Sequence, residues 1–227
     1  NMDWFPLYNS IRIALISAAA TFVLGIFLAW WVTGLPRAAK GILDCLFTLP
    51  LVLPPTVIGF FLLKFIGVYG PMGRFVYSIW GEKMTMTWYA SVFAVVIVTF
   101  PLMYRTVRSS FEAFDKNIIY AGRTLGLSNG YIFFRITLPC CKEGLIAGTI
   151  LSFARGLGEY GATSMVSGYT PGRTATISTT VYQLWREGSD ALAYKWVFVN
   201  IAISFAVLMA LNIFEKRSGK RRAERWS

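Results

Sequence analysis

The chain contains no histidine, only three cysteines and only 11 acidic residues in 227 positions. Without histidine it lacks the commonest general base and metal ligand, and no other convergent nucleophile–base set stands in for it, which argues against a membrane enzyme. Cys45, Cys140 and Cys141 form no Cys-x-x-Cys pair, so no metal site is expected, and the adjacent Cys140 and Cys141 cannot readily bridge each other. Charge is scarce too: 15% of residues are charged, against about 25% in an ordinary soluble domain. No apolar run alternates strictly with polar residues, which speaks against a barrel. The first apolar run is too long for a signal-peptide core and lacks a basic region before it, so it reads as a retained span.

What is abundant is apolar surface, 56% of residues, with 16% aromatic. It falls in five blocks, at 7–32, 42–66, 87–104, 144–166 and 194–213. About 20 apolar residues suffice to cross a bilayer, and a spanning backbone must satisfy its own hydrogen bonds. The expectation is an all-α, multi-pass membrane protein of about five spans forming a single domain over 1–227. Trp4, Trp30 and Trp31 are placed as interfacial belt residues.

The net charge of +11 would suggest nucleic acid in a soluble protein, but its distribution suits a membrane. Fourteen of the 22 basic residues lie in three groups. These are Arg37 and Lys40; Arg105, Arg108, Lys116, Arg123, Arg135 and Lys142; and the tail Lys216, Arg217, Lys220, Arg221, Arg222 and Arg225. Excess Lys and Arg marks the cytoplasmic side, which places the N-terminus outside and the C-terminus inside. The bilayer, not nucleic acid, is the expected partner of the basic tail. Arg12, Lys64 and Lys195 fall near the outer span ends, where long side chains can snorkel.

Two spans carry unusual residues. Pro50, Pro54 and Pro55 cannot share an unbroken helix, because each removes a donor and clashes one turn back. The second span is therefore either kinked or broken along a translocation pathway or gate. In the fourth, Gly156, Gly158 and Gly161 spell the dinucleotide fingerprint, but outside the strand–turn–helix context that motif needs; close helix approach is the better reading. Arg155 and Glu159 share a face four residues apart. Charges at this depth mark transport paths or pair structurally, and both readings stand.

Between spans three and four lies a polar, basic insert, 112–139. Ile118, Ala121, Gly122 and Leu125 fall at helical spacing, Gly126 is placed to end that helix, and Ser128 can cap a second helix from Asn129 to about Arg135. Pro139 marks the return to the membrane. The order small pair (Ala121, Gly122), three residues, Gly126, nine residues, then Ile136-Thr137-Leu138-Pro139 resembles the coupling loop of binding-protein-dependent ABC importers. Tyr120 and Gly122 depart from its usual Glu-Ala-Ala. The resemblance implies ATPase-coupling roles for Tyr120, Ala121, Gly122, Leu125, Gly126, Ile136, Leu138 and Pro139.

Leu49–Pro55, Phe100–Met103, Arg123–Gly126 and Phe153–Thr163 look very much like the permease subunit of molybdate importers, with tungstate and sulfate/thiosulfate permeases similar enough to remain open. The resemblance implies a prokaryotic cell-membrane (inner-membrane) homodimer, two cytoplasmic ABC ATPases that bind ATP and Mg, and an extracytoplasmic oxyanion-binding protein. The chain itself carries no Walker A sequence and is expected to bind no cofactor. A stand-alone secondary transporter is the reading from another class, suited by intramembrane charges and a broken helix.

Overall fold

The computed structural model describes residues 3–226, with side chains through Phe214 and at Lys216. Among the described residues three helices are long and apolar enough to cross a membrane: α1 (Phe5–Thr33), α5 (Trp88–Glu112) and the Asp190–Phe214 part of α12 (Asp190–Trp226). Counting two bent helix pairs as spans raises the number to five.

The centre is a three-helix bundle of α1, α5 and α9 (Lys142–Leu157). On α1 the buried positions Ala14, Ser17, Ala18, Thr21, Gly25 and Ala29 recur every three to four residues, a stripe of small side chains that lets backbones approach closely. The opposite face, with Leu15, Leu24, Phe27 and Trp31, is exposed and apolar. A helix apolar all round at bundle length suits lipid on its free side. On α12 only 6% of the apolar window is buried, so this helix leans on α9 and α11 (Ile177–Arg186) with Phe198, Phe205 and Leu208 facing outward.

The second apolar block is broken outright. Helix α2 (Arg37–Thr48) passes through a 3-10 turn at Leu49–Leu51, and α3 (Pro55–Ile66) starts afresh at a bend of 104°. Pro54 is extended (φ −55°, ψ 136°) and Pro55 opens the new helix, where its missing N–H costs nothing. Helix α2 buries none of its residues. Helix α3, at about 18 Å by the helical rise, is too short to cross about 30 Å of hydrocarbon. A short helix α4 (Pro71–Trp80) follows.

The fourth block, expected as one span over 144–166, is divided. Helix α9 ends at Leu157, and a seven-residue helix, α10 (Gly161–Ser167), begins after a gap of three residues. The interruption falls at Gly158-Glu159-Tyr160. Before α9 comes the insert, consisting of α6 (Lys116–Thr124), α7 (Asn129–Ile132), a π-turn at Phe133–Thr137 and α8 (Leu138–Cys140); the stretch Asn129–Cys140 meets α9 at 70°. Of the basic tail, Lys216 is exposed; the side chains of Arg217, Lys220, Arg221, Arg222 and Arg225 lie outside the described residues.

Candidate functional site

Two sites emerge, a hairpin at one end of the bundle and a joint near its middle. In the hairpin, α6 begins at Asp115, whose side chain accepts from the Asn117 N–H. It ends in a full Schellman arrangement. The Leu127 N–H donates to the Gly122 carbonyl at 3.1 Å and the Gly126 N–H to the Arg123 carbonyl at 2.9 Å. Gly126 sits at φ +76°, where a side chain would be strained. Ser128 then caps α7 by accepting from the Tyr131 N–H. The second helix runs on past Arg135 to Cys140 through the π-turn, in which the Leu138 N–H reaches back to Phe133. Pro139 has no N–H to offer, and the widened turn falls where the ladder would otherwise break.

The small-residue stripe expected over Ile118, Ala121, Gly122 and Leu125 divides. Ile118, Tyr120, Ala121 and Leu125 face outward, Leu125 at 79% exposure. Gly122 is buried, and a Cβ there would stand 3.2 Å from Ile132, so it holds the two arms of the hairpin together. Ile136 and Leu138 are half-buried and Pro139 is exposed.

Sequence reasoning missed what fastens this hairpin to the bundle. Trp30 is not a belt residue: it packs on Phe133 at 4.7 Å and on Phe111 at 5.6 Å between ring centroids. Phe133 is buried in a core with Met103, Tyr104, Val107 and Leu145, so the π-turn plugs into α1, α5 and α9 together. Beside it, α2 is tied to α5 by charges. Lys40 pairs with Glu112 at 2.6 Å, Arg108 pairs with both Glu112 and Asp44, and the Tyr104 hydroxyl donates to Asp44 Oδ1 at 2.6 Å. The aromatic run Tyr131, Phe133 and Phe134 in an otherwise polar insert was the available signal for Phe133. The charge ties join residues up to 72 positions apart (Lys40 to Glu112) and left no local pattern.

At the joint the start of α3, which follows Pro54 and opens with Pro55, meets the start of α10, which follows the paired Arg155 and Glu159; these four are the residues expected to form a pathway or gate. Gly156 of α9 lies against Val95 of α5, with Thr99 beside it, which sets the level near the middle of α5. Past the interruption, a Cβ on Gly161 would stand 3.0 Å from Pro55 Cβ and 3.2 Å from the Thr56 nitrogen. One turn on, a Cβ on Gly59 would meet Met165 Cβ at 2.8 Å and Ala162 Cα at 2.9 Å. The starts of α3 and α10 thus touch backbone to backbone. Glu159 Oε1 accepts from the Ala162 N–H at 2.8 Å, placing a carboxylate at the positive end of α10. Its Oε2 lies 2.9 Å from Arg155 Nη2 but outside hydrogen-bond alignment, so charge attraction holds that contact. The Glu159 side chain is 1% exposed and that of Arg155 36%: the acid is buried and the guanidinium partly accessible. Among the described residues no cluster suited to a metal ion occurs, and Cys45, Cys140 and Cys141 are unbridged.

Residues 21–220 match the family described as binding-protein-dependent transport system inner membrane component. The chain is 36% identical over 208 residues to the molybdenum transport system permease protein ModB of Escherichia coli, spanning 91% of both chains. It is 34% identical over 221 residues to ModB of Haemophilus influenzae, spanning 97% of this chain and 96% of that one. The sulfate transport system permease protein CysT of Escherichia coli is 30% identical over 214 residues, 92% of this chain and 77% of CysT. Among solved structures, a chain of a bacterial alginate ABC transporter, crystallised with its alginate pentasaccharide-bound periplasmic protein, superposes with a TM-score of 0.73. It shares 16% identity and matches 94% of this chain and 78% of that one, a likeness of fold. With the family match covering most of its length, the chain belongs to the inner membrane components of binding-protein-dependent transport systems.

Proposed function

We propose that this permease subunit carries molybdate, and tungstate with it, into a prokaryotic cytoplasm. It works as a homodimer with two cytoplasmic ATPases that bind ATP and Mg and with an outer oxyanion-binding protein. The observation that carries the reading is the match to ModB at 36% identity over 91% of both chains. The weaker match to CysT makes sulfate the second candidate. The groups of basic residues support an outside N-terminus and an inside C-terminus, with the hairpin in the cytoplasm.

In this mechanism the outward face of α6 (Ile118, Tyr120, Ala121 and Leu125) meets the ATPase. Gly122, Gly126, Ile136, Leu138 and Pro139 keep the hairpin in shape, and Phe133 passes its displacement to α1, α5 and α9. The joint of Pro54 and Pro55 with Arg155 and Glu159 is the gate. ATP closes the ATPase dimer, the bundle opens outward, and Arg155 lowers the barrier to a divalent anion, since Coulomb attraction is several-fold larger there than in water.

The test is ATPase activity of the reconstituted complex with its binding protein, across molybdate, tungstate and sulfate. Stimulation by molybdate and tungstate is expected; stimulation by sulfate alone would replace the cargo. In the same preparation Gly126→Leu should insert normally but lose coupled transport. Normal transport by that variant would remove the hairpin from the coupling route.

A further inference from the structure

At the end of the bundle opposite the hairpin, a cavity of about 340 Å³ lies between the start of α1, the loop before α5 and the turn at Gly172–Thr174. Two arginines line it, Arg12 and Arg173, together with Glu82. Arg12 does not simply extend toward the bilayer surface as a snorkelling residue would. Its guanidinium lies 4.0 Å from the Trp88 ring centroid and donates to Asn9 Oδ1 at 2.9 Å. Asn9 in turn donates to the Ala175 carbonyl at 2.9 Å, so the group is held from both the helix and the turn. Its Nε is buried without a hydrogen-bond partner. Among the described residues, neither Arg12 nor Arg173 takes part in an ion pair. The turn is itself fixed: the Thr174 and Ala175 N–H groups both donate to the Thr170 carbonyl, and Thr174 is buried.

We propose that this cavity is a receiving site for a tetrahedral oxyanion, bound by Arg12 and Arg173, on the outer face of the permease. The proposal rests on the reading of the chain as an oxyanion permease. A guanidinium presents a rigid fork of donors that matches two oxygens of such an anion. A cation stacked on an indole is pre-oriented for a ligand. Two unpaired guanidiniums in one small cavity repel each other, and a divalent anion between them removes that repulsion. Glu82 on the same wall leaves one net positive charge and keeps the affinity modest, as suits a site that passes its ion on.

The same N–H groups also suit donation to a carboxylate of a docked binding protein, so the test separates the two sources. Radiolabelled sodium molybdate is equilibrated with the full chain, assembled with its ATPase in nanodiscs, with no binding protein present. Saturable binding is expected, weakened about tenfold by Arg12→Gln, the loss of one charge-assisted contact, and less by Arg12→Lys and Arg173→Gln. Binding should also change Trp88 emission, isolated as the difference between wild type and Trp88→Phe. If Arg12→Gln fails to assemble, the exposed Arg173→Gln decides alone. Unchanged affinity in every assembled variant overturns the proposal. So does absence of free-anion binding combined with weaker docking of the binding protein by Arg12→Gln, which would assign the cavity to a carboxylate. Sulfate binding with the same Arg12 dependence, and no molybdate binding, upholds the site while displacing molybdate as the cargo.

Discussion

The two interruptions that meet at the joint are built from opposite chemistry. The one between α2 and α3 is made by prolines, which remove donors and clash with the preceding turn. Pro55 also holds Pro54 out of the helical region, so this break is stiff. The one between α9 and α10 holds glycine on both sides of Glu159 and is stabilised by a single carboxylate, which accepts from Ala162 at 2.8 Å and faces Arg155 at 2.9 Å. One side of the joint is therefore fixed by covalent geometry and the other by an electrostatic contact that can be made and released. We propose that this difference makes a gate with one rigid jaw and one switchable jaw, and each part of that proposal can be attacked separately.

The largest effect is expected on the switchable side. Arg155→Met leaves Glu159 buried and uncompensated, a loss of roughly 3–5 kcal/mol for a broken buried pair, reduced by the partial exposure of Arg155. Glu159→Gln keeps an oxygen for Ala162 and should be milder. Thermal stability and assembly with the ATPase measure both. The double mutant should recover stability. If Arg155 also serves the anion, it should assemble normally yet stay transport-defective, and full uptake by the double mutant would make the pair purely structural.

Next comes the contact between the jaws. Gly59→Val must displace Met165 and the α10 backbone, an overpacking penalty of about 1–3 kcal/mol, visible as a lower unfolding temperature in detergent. An unchanged unfolding temperature would mean that α3 and α10 do not press on each other. The smallest effect is expected on the rigid side. Pro54→Ala leaves Pro55 to hold position 54 extended, so the break should survive with about 0.4–1 kcal/mol lost through a freer unfolded chain. Transport should persist, and its abolition by Pro54→Ala would move the essential rigidity from Pro55 to Pro54.

The two breaks also differ in how readable they were. Three prolines close together exclude an unbroken helix, so an interruption between Pro50 and Pro55 could be read from the residues, though a kink and a full break could not be told apart. Glycine in an apolar segment does two things in a membrane: it lets helices approach, as Gly156 does against Val95, and it can end a helix, as Gly158 does. Residue type alone does not separate these, and the fourth block was therefore read as a continuous span. The hairpin turn was legible because a Schellman ending requires a residue at positive φ, and Gly126 stands there. The inward turn of Gly122 was not, because it depends on Ile132 across the loop. Trp30 was misplaced for a similar reason: an aromatic at a span end suits the lipid interface and a protein core equally, and Phe133, 103 residues further along, decides between them.

The most direct test of the proposed gate is to lock its jaws together. Thr56 and Gly161 are suited to it, since a Cβ on Gly161 would stand 3.3 Å from Thr56 Cγ2. In a background with Cys45, Cys140 and Cys141 replaced by serine, Thr56→Cys with Gly161→Cys is oxidised in proteoliposomes containing the ATPase and binding protein, and molybdate uptake is followed. The account predicts that uptake is lost on oxidation and returns on reduction, with ATPase assembly intact throughout. Full uptake with the cross-link quantitatively formed would contradict it, because the joint between α3 and α10 would then not need to open.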